Sequence, residues 1–213
     1  MSTTIKAAFF DFGGVILSSP FEAFNRFEAT HGLPRDFIRT INATNPDTNA
    51  WAQFERSSVT FDQFCDLFEA ECLAAGHAMS ARDLMPLLSG DVRPAMVEAV
   101  RRCGERLVTA CLTNNWVPHA GPATDDRHAH LQDVFGLFHH IVESSKVGVR
   151  KPDPRFYEIA CELAGVEPSE AVFLDDLGVN LKPAAAMGMT TIKVVDPSDA
   201  LAQLEGVVGF SLR

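Results

Sequence analysis

Two apolar runs in this chain end in aspartate, and such endings can do chemistry. Ile5 to Phe10 is mostly apolar and stops at Asp11, which is followed by Phe12 and the pair Gly13-Gly14. The run reads as a strand buried on both faces that breaks into a tight turn, so Asp11 is presented at a strand tip. A carboxylate there is a candidate nucleophile or metal ligand; the bland reading is that it only opens the turn. Ala171-Val172-Phe173-Leu174 ends in Asp175-Asp176. Adjacent carboxylates repel each other, so a pair delivered together needs a cation unless it merely caps a helix. Two more places carry donors. Leu107 to Leu112 ends in Thr113-Asn114, and Lys151 closes the stretch Lys146-Val147-Gly148-Val149-Arg150-Lys151. Singly, the first reads more readily as a cap or turn and the second as a solvated loop lysine.

The elements that must position these residues alternate. After Asp91 the pattern predicts a helix over 94–104, a strand over 107–112, a largely loop segment over 116–132 and a short strand over 141–143. It continues with a helix over 154–164, strands over 171–174 and 190–195, and helices over 180–187 and 198–204. Strands and helices at this spacing make an α/β fold with a doubly wound parallel sheet. In such a sheet all strand tips face one edge, so Asp11, Thr113, Asn114, Lys151, Asp175 and Asp176 can converge on one pocket. Residues 18–90 differ. Phe21, Phe24 and Phe27 recur at helical spacing, as do Phe61, Phe64 and Phe68, with Trp51 and Phe54 between them. No strand is evident there, and the stretch reads as a helical cap inserted after the first strand. The expected organisation is a core of 1–17 and 91–213 with a cap of 18–90, the cap able to act as a lid.

The motifs Cys111-Leu112-Thr113-Asn114-Asn115-Trp116, Val147-Gly148-Val149-Arg150-Lys151-Pro152 and Val172 to Pro183, with Asp11 upstream, resemble the haloacid dehalogenase (HAD) superfamily. Within it they are similar to the phosphatase domain at the N-terminus of soluble epoxide hydrolase; the epoxide hydrolase activity belongs to a separate domain and is not carried over. The resemblance implies a Rossmann-like HAD core and Mg²⁺-dependent hydrolysis of a small phosphorylated metabolite, a sugar, lipid or acyl phosphate. It implies that Asp11 attacks phosphorus to give an aspartyl phosphate that water hydrolyses. It assigns Mg²⁺ to Asp11, the Gly13 carbonyl and Asp176 with help from Asp175, phosphoryl oxygens to Thr113 and Asn114, and charge balance to Lys151. Asn180, one helical turn past Asp176, would hold a metal-bound water or Asp175. One position departs from the family pattern. Gly13 stands where a second aspartate usually protonates the leaving group, a contribution typically worth about 10²–10⁴-fold. A good leaving group, or a proton from water, Glu22 or His31, would compensate. The alternatives are a haloacid dehalogenase, whose displacement at carbon needs no such acid, and a weak or silent module binding a phosphorylated ligand or a protein.

Composition bounds the rest. The 213 residues, 46% hydrophobic, suffice for one sizeable core or a core and a smaller unit. A formal net charge of −10 argues against nucleic acid and anionic membrane as partners, so a phosphorylated ligand needs a local cationic site. Lys146, Arg150, Lys151 and Arg155 are the expected source. No apolar run approaches bilayer length, and five cysteines without a C-x-x-C pair fit reduced thiols, so a cytoplasmic protein is expected. Cys111 reads as packing rather than nucleophile. A second metal site on His119, Asp125, Asp126, His128 and His130 is a minor reading; His139 and His140 read as structural or solvated. Monomer and homodimer are equally compatible with the sequence.

Overall fold

The computed structural model describes residues 4–88, 90–114 and 131–212. Five parallel strands form one sheet: β1 (Ala7–Phe10), β2 (Val108–Thr113), β3 (His140–Glu143), β4 (Ala171–Asp175) and β5 (Thr190–Lys193), in the order β3-β2-β1-β4-β5. The chain therefore builds outward from β1 on one side, then returns and builds outward on the other. The crevice beyond the strand ends at that reversal, between β1 and β4, is where ligands collect in such sheets.

Alternation along β1 explains why both faces are covered. Ala7 and Phe9 point into an apolar layer with Phe156, Tyr157 and Phe173, while Ala8 and Phe10 point into another with Met96, Val100 and Leu201. Helices Pro94–Gly104 and Pro197–Val208 supply the second layer, and helix Pro154–Ala164 the first. Each of these three helices starts with a proline, which needs no donor there. Every residue of β1 is fully buried, the signature of a central parallel strand.

Residues 21–88 contain helices and no strand. Their aromatic residues gather into a separate apolar cluster that includes Phe24, Phe54, Phe64, Phe68, Ile38 and Leu84. Phe54 stacks on Phe64 at 4.4 Å between ring centroids, and Trp51 meets Phe64 edge-on at 5.3 Å. Helix Phe61–Ala74 opens with a reciprocal cap in which Thr60 and Gln63 each accept the other's backbone N–H. Buried Glu28 accepts from the N–H groups of Asp36 and Ile38, satisfying the start of helix Phe37–Ala43.

Strand β2 extends one residue beyond the expected 107–112 to include Thr113, and β5 stops at Lys193, short of Val195. Residues 131–135 are helical, so the expected loop does not reach Gln132. His119, Asp125, Asp126, His128 and His130 lie outside the described residues. His139 Nδ1 sits 2.9 Å from Thr109 Oγ1, which ties it to the start of β2 as a structural residue.

Candidate active site

Asp11 follows β1, whose last residue, Phe10, lies opposite Cys111 on β2 and Leu174 on β4. Its N–H donates to the Leu174 carbonyl at 2.9 Å, so the backbone stays in the ladder up to the aspartate. The chain then turns: Asp11 Oδ1 accepts the Phe12 N–H at 2.6 Å, and the Leu17 N–H closes on the Phe12 carbonyl at 2.9 Å. Gly14 makes the turn possible with a φ of +78°. It is required for a second reason, because a Cβ at this position would lie 2.3 Å from the Asp176 carboxylate. Gly13 differs. Its φ of −73° suits any residue, and a Cβ there would meet nothing within 4 Å.

Three carboxylates converge. One oxygen each from Asp11, Asp175 and Asp176 lies within 4.8 Å of the others. Lys151, only 1% exposed, places Nζ 2.8 Å from Asp11 Oδ1 and 2.8 Å from Asp175 Oδ2. Both partners of Asp11 fall on Oδ1, so Oδ2 has no hydrogen-bond partner among the described residues. Asp175 is fully buried and surrounded by donors: Lys151, the Leu177 N–H at 2.8 Å and the Asn180 side-chain amide at 3.1 and 3.0 Å. Asn180 is fixed in turn, its carbonyl accepting the buried Tyr157 hydroxyl at 2.6 Å. Asp176 is the more open member, with Ser19 Oγ 3.4 Å from its Oδ2.

Electrostatics follow from this crowding. Burial raises the Asp11 pKa well above the ordinary carboxylate value, with Lys151 opposing and Asp175 and Asp176 adding to the rise. Burial, then the neighbouring Asp175, pushes Asp176 up to about 6. For Lys151, burial pulls downward, but Asp11 and Asp175 outweigh it and hold the ammonium above its usual range. Three carboxylates thus crowd around one lysine that pairs with two of them. The donor set consists of hard oxygens with excess negative charge, which fits Mg²⁺.

Thr113, at the end of β2, is 7% exposed, and its hydroxyl makes no hydrogen bond to a described residue. Asn114 does something the sequence did not suggest. Its Nδ2 donates to the Lys151 carbonyl at 2.9 Å and its Oδ1 accepts the Lys151 N–H at 2.8 Å, so its side chain clamps the lysine's backbone. The expected basic cluster is dispersed. Lys146 pairs with Glu143, Arg155 with Glu158 and Glu162, and Arg150 with Glu55, which leaves Lys151 as its member among the carboxylates. His31 is exposed and stacked on Phe27 at 3.9 Å, committed to the end of its own helix. The Glu22 side chain lies outside the described residues.

Sequence reasoning missed three participants. Arg93 donates from a terminal guanidinium nitrogen to the Gly14 carbonyl at 2.6 Å, bracing the turn from 79 residues away. Ser19 reaches Asp176. Glu55, from helix Ala50–Glu55, binds the residue that precedes Lys151: its Oε2 lies 2.6 Å from Arg150 Nε, while its own carbonyl accepts the buried Ser144 hydroxyl at 2.6 Å. The adjacent Gly pair was the available hint for the turn; the other contacts are long-range and leave no local pattern.

Comparison with known proteins places the chain in a family. The haloacid dehalogenase-like hydrolase family matches residues 5–188, and the chain belongs to that family of hydrolases. It is 33% identical over 214 residues to mouse acyl-CoA dehydrogenase family member 10, covering 98% of this chain and 20% of that protein. It is 32% identical over 217 residues to mouse bifunctional epoxide hydrolase 2, covering 96% of this chain and 39% of that protein. The chain thus spans between a fifth and two fifths of the length of these relatives. Sesquiterpene phosphatase astK of Aspergillus oryzae is 29% identical over 212 residues, covering 98% of this chain and all of that one. Among solved structures, a HAD-family enzyme of Bacteroides thetaiotaomicron in complex with magnesium and inorganic phosphate aligns with a TM-score of 0.59 at 20% identity, over 89% of this chain and 93% of that one. L-2-haloacid dehalogenase of Xanthobacter autotrophicus aligns at 0.58 and 18%, over 95% and 83%. No helix of the described residues is long and apolar enough to cross a membrane.

Proposed function

We propose that this hydrolase is a Mg²⁺-dependent phosphomonoesterase acting on a small phosphorylated metabolite through an aspartyl phosphate. The observation that carries the reading is the carboxylate triangle, drawn within 4.8 Å, with Lys151 bridging two of its members. Asp11, Asp176 and the Gly13 carbonyl would hold Mg²⁺, and Asp175 orients Lys151. Bound there, the ion would neutralise phosphoryl oxygens and keep the crowded carboxylates ionised.

The chain's own residues perform the rest. Lys151 and the Phe12 N–H anchor Oδ1 of Asp11, leaving Oδ2 to attack phosphorus in line as the ester oxygen departs. Water then attacks phosphorus and releases inorganic phosphate, returning the carboxylate. The Thr113 hydroxyl donates to a phosphoryl oxygen, and Asn114 acts by holding Lys151 in place. The open space beside Gly13 admits solvent, so the departing oxygen takes its proton from water, or needs none when it leaves as an acyl carboxylate. The helical stretch 18–90 serves as the lid. Five free, buried cysteines support a cytoplasmic setting.

Phosphate release from p-nitrophenyl phosphate tests this reading. Turnover is expected with Mg²⁺, lost with EDTA and lost in Asp11→Asn; equal activity in that variant would overturn it. The missing acid at position 13 also suits a haloacid dehalogenase. That reaction needs no cation, so halide release from 2-chloropropionate in EDTA would select it instead.

A further inference from the structure

The phosphatase reading leaves open what the rest of the substrate looks like. A cleft of about 430 Å³ adjoins the carboxylate triangle, sharing Asp176 with it and lined also by the neighbouring Gly14. Among the described residues, three cationic side chains line it: Arg39 from helix Phe37–Ala43, Arg93, which precedes helix Pro94–Gly104, and Lys193 from the end of β5. Among the described residues, Asp176 is the one carboxylate in that lining. The chain as a whole has 28 acidic against 18 basic residues, so this cleft inverts the balance of the molecule.

None of the three is consumed by a close ion pair with a described residue. Arg39 lies 3.7 Å over the Phe21 ring, its nearest carboxylate contact being Asp36 at 3.7 Å. Arg93 is held by the neutral Gly14 carbonyl. The Lys193 ammonium has no hydrogen-bond or ionic partner among the described residues. They also come from separate parts of the chain, one on the helical stretch and two on the sheet side, so a ligand between them would bridge both. A larger hollow of about 610 Å³ near Lys6 and Cys161 has the opposite character, with Glu158, Glu162, Glu167 and Glu170 in its wall.

We propose that this cleft is a specificity site for a second anionic group, a carboxylate or a second phosphate, on the leaving-group side of a phosphate monoester, bound by Arg39 and Lys193. Arg93 adds its charge while bracing the Gly14 turn. The proposal rests on the phosphatase reading of the neighbouring triangle. A local positive field in an acidic molecule selects ligands by charge more than by area, and its effect falls with added salt.

The test is equilibrium binding to the Asp11→Asn protein with Mg²⁺ present, which cannot complete turnover. The probes are alkanediol monophosphates of two to six carbons, the matching bisphosphates and the matching ω-carboxyalkyl phosphates. At the best chain length the doubly anionic members should bind on the order of ten-fold more tightly than the neutral-tailed ones, the scale of one or two partly exposed charge contacts. The two doubly anionic series distinguish carboxylate from phosphate. Adding Arg39→Ala and Lys193→Ala should remove that advantage and leave affinity for the neutral-tailed probes unchanged. Equal binding of all series, no binding of any, or an advantage that survives both substitutions would overturn the proposal. Turnover of p-nitrophenyl phosphate by the wild-type protein reports separately on the phosphatase reading.

Discussion

Gly13 and Gly14 are adjacent but their constraints are opposite. At Gly14 both the positive φ and the 2.3 Å approach to Asp176 exclude a side chain. Gly14→Ala should therefore push the Asp176 carboxylate out of the triangle and cost about 1–2 kcal/mol in backbone strain. Calorimetric Mg²⁺ titration should show binding lost while circular dichroism stays native. At Gly13 the space is open and the backbone ordinary. Gly13→Asp should fold normally and raise kcat for an alkyl phosphate by on the order of 10–100-fold, restoring part of what general acid catalysis supplies. An unchanged kcat would show that leaving-group protonation does not limit the reaction. The sequence distinguishes the two glycines poorly, because what separates them is the arrival of Asp176 from 162 positions further along.

At the scale of elements, the loop that carries Lys151 is held from three directions. Asn114 clamps its backbone from the end of β2, Asp11 and Asp175 bind its ammonium, and Glu55 with the Pro46 carbonyl binds Arg150 from the helical stretch. Glu55 is buried, and that burial raises its pKa from the ordinary 4.5 despite the opposing Arg150. The folded protein therefore holds the Glu55 proton more tightly than the unfolded chain does. Its contribution to stability is intact below pH 4.5 and is lost as pH rises through the folded pKa. Glu55→Gln removes that titration. Thermal unfolding followed across this window should show the variant gaining on the wild type as pH rises, whatever constant offset its altered contacts introduce. A constant difference in Tm would contradict the assignment. Pattern and end signals gave helices 94–104 and 154–164 to the residue, since a proline opens each and a glycine marks where it closes. It could not give the contact between Glu55 and Arg150, which joins two elements that are each locally self-consistent.

At the scale of the molecule, strand alternation and strand-end chemistry were enough to assign an α/β fold with its polar residues at one sheet edge. The order β3-β2-β1-β4-β5 puts Asp11, just past the end of β1, beside Asp175 at the end of β4, which is why residues so distant in sequence share one cation-seeking cluster. The local positive field was expected from residues 146–155; acidic partners claim most of those side chains, and Arg39, Arg93 and Lys193 line the cleft instead. Charge pattern along a chain does not reveal which cations are already paired. Three carboxylates around one lysine repel when no cation is present. In EDTA, Asp176→Asn should then melt higher than the wild type. With Mg²⁺ at a hundred times its dissociation constant the order should reverse, since the ion adds about 2.7 kcal/mol to the wild type alone. Differential scanning fluorimetry with and without the metal would decide it.

Arg150 and Lys151 share a peptide bond yet aim at opposite neighbours, one toward the helices that carry Glu55 and one toward Asp11. A molecule too bulky for those helices to settle over would pull the first away and leave the second poorly aimed. Oversized compounds would then be discriminated against by sluggish bond breaking rather than by failure to bind, giving an enzyme whose sense of substrate size is expressed in its turnover number.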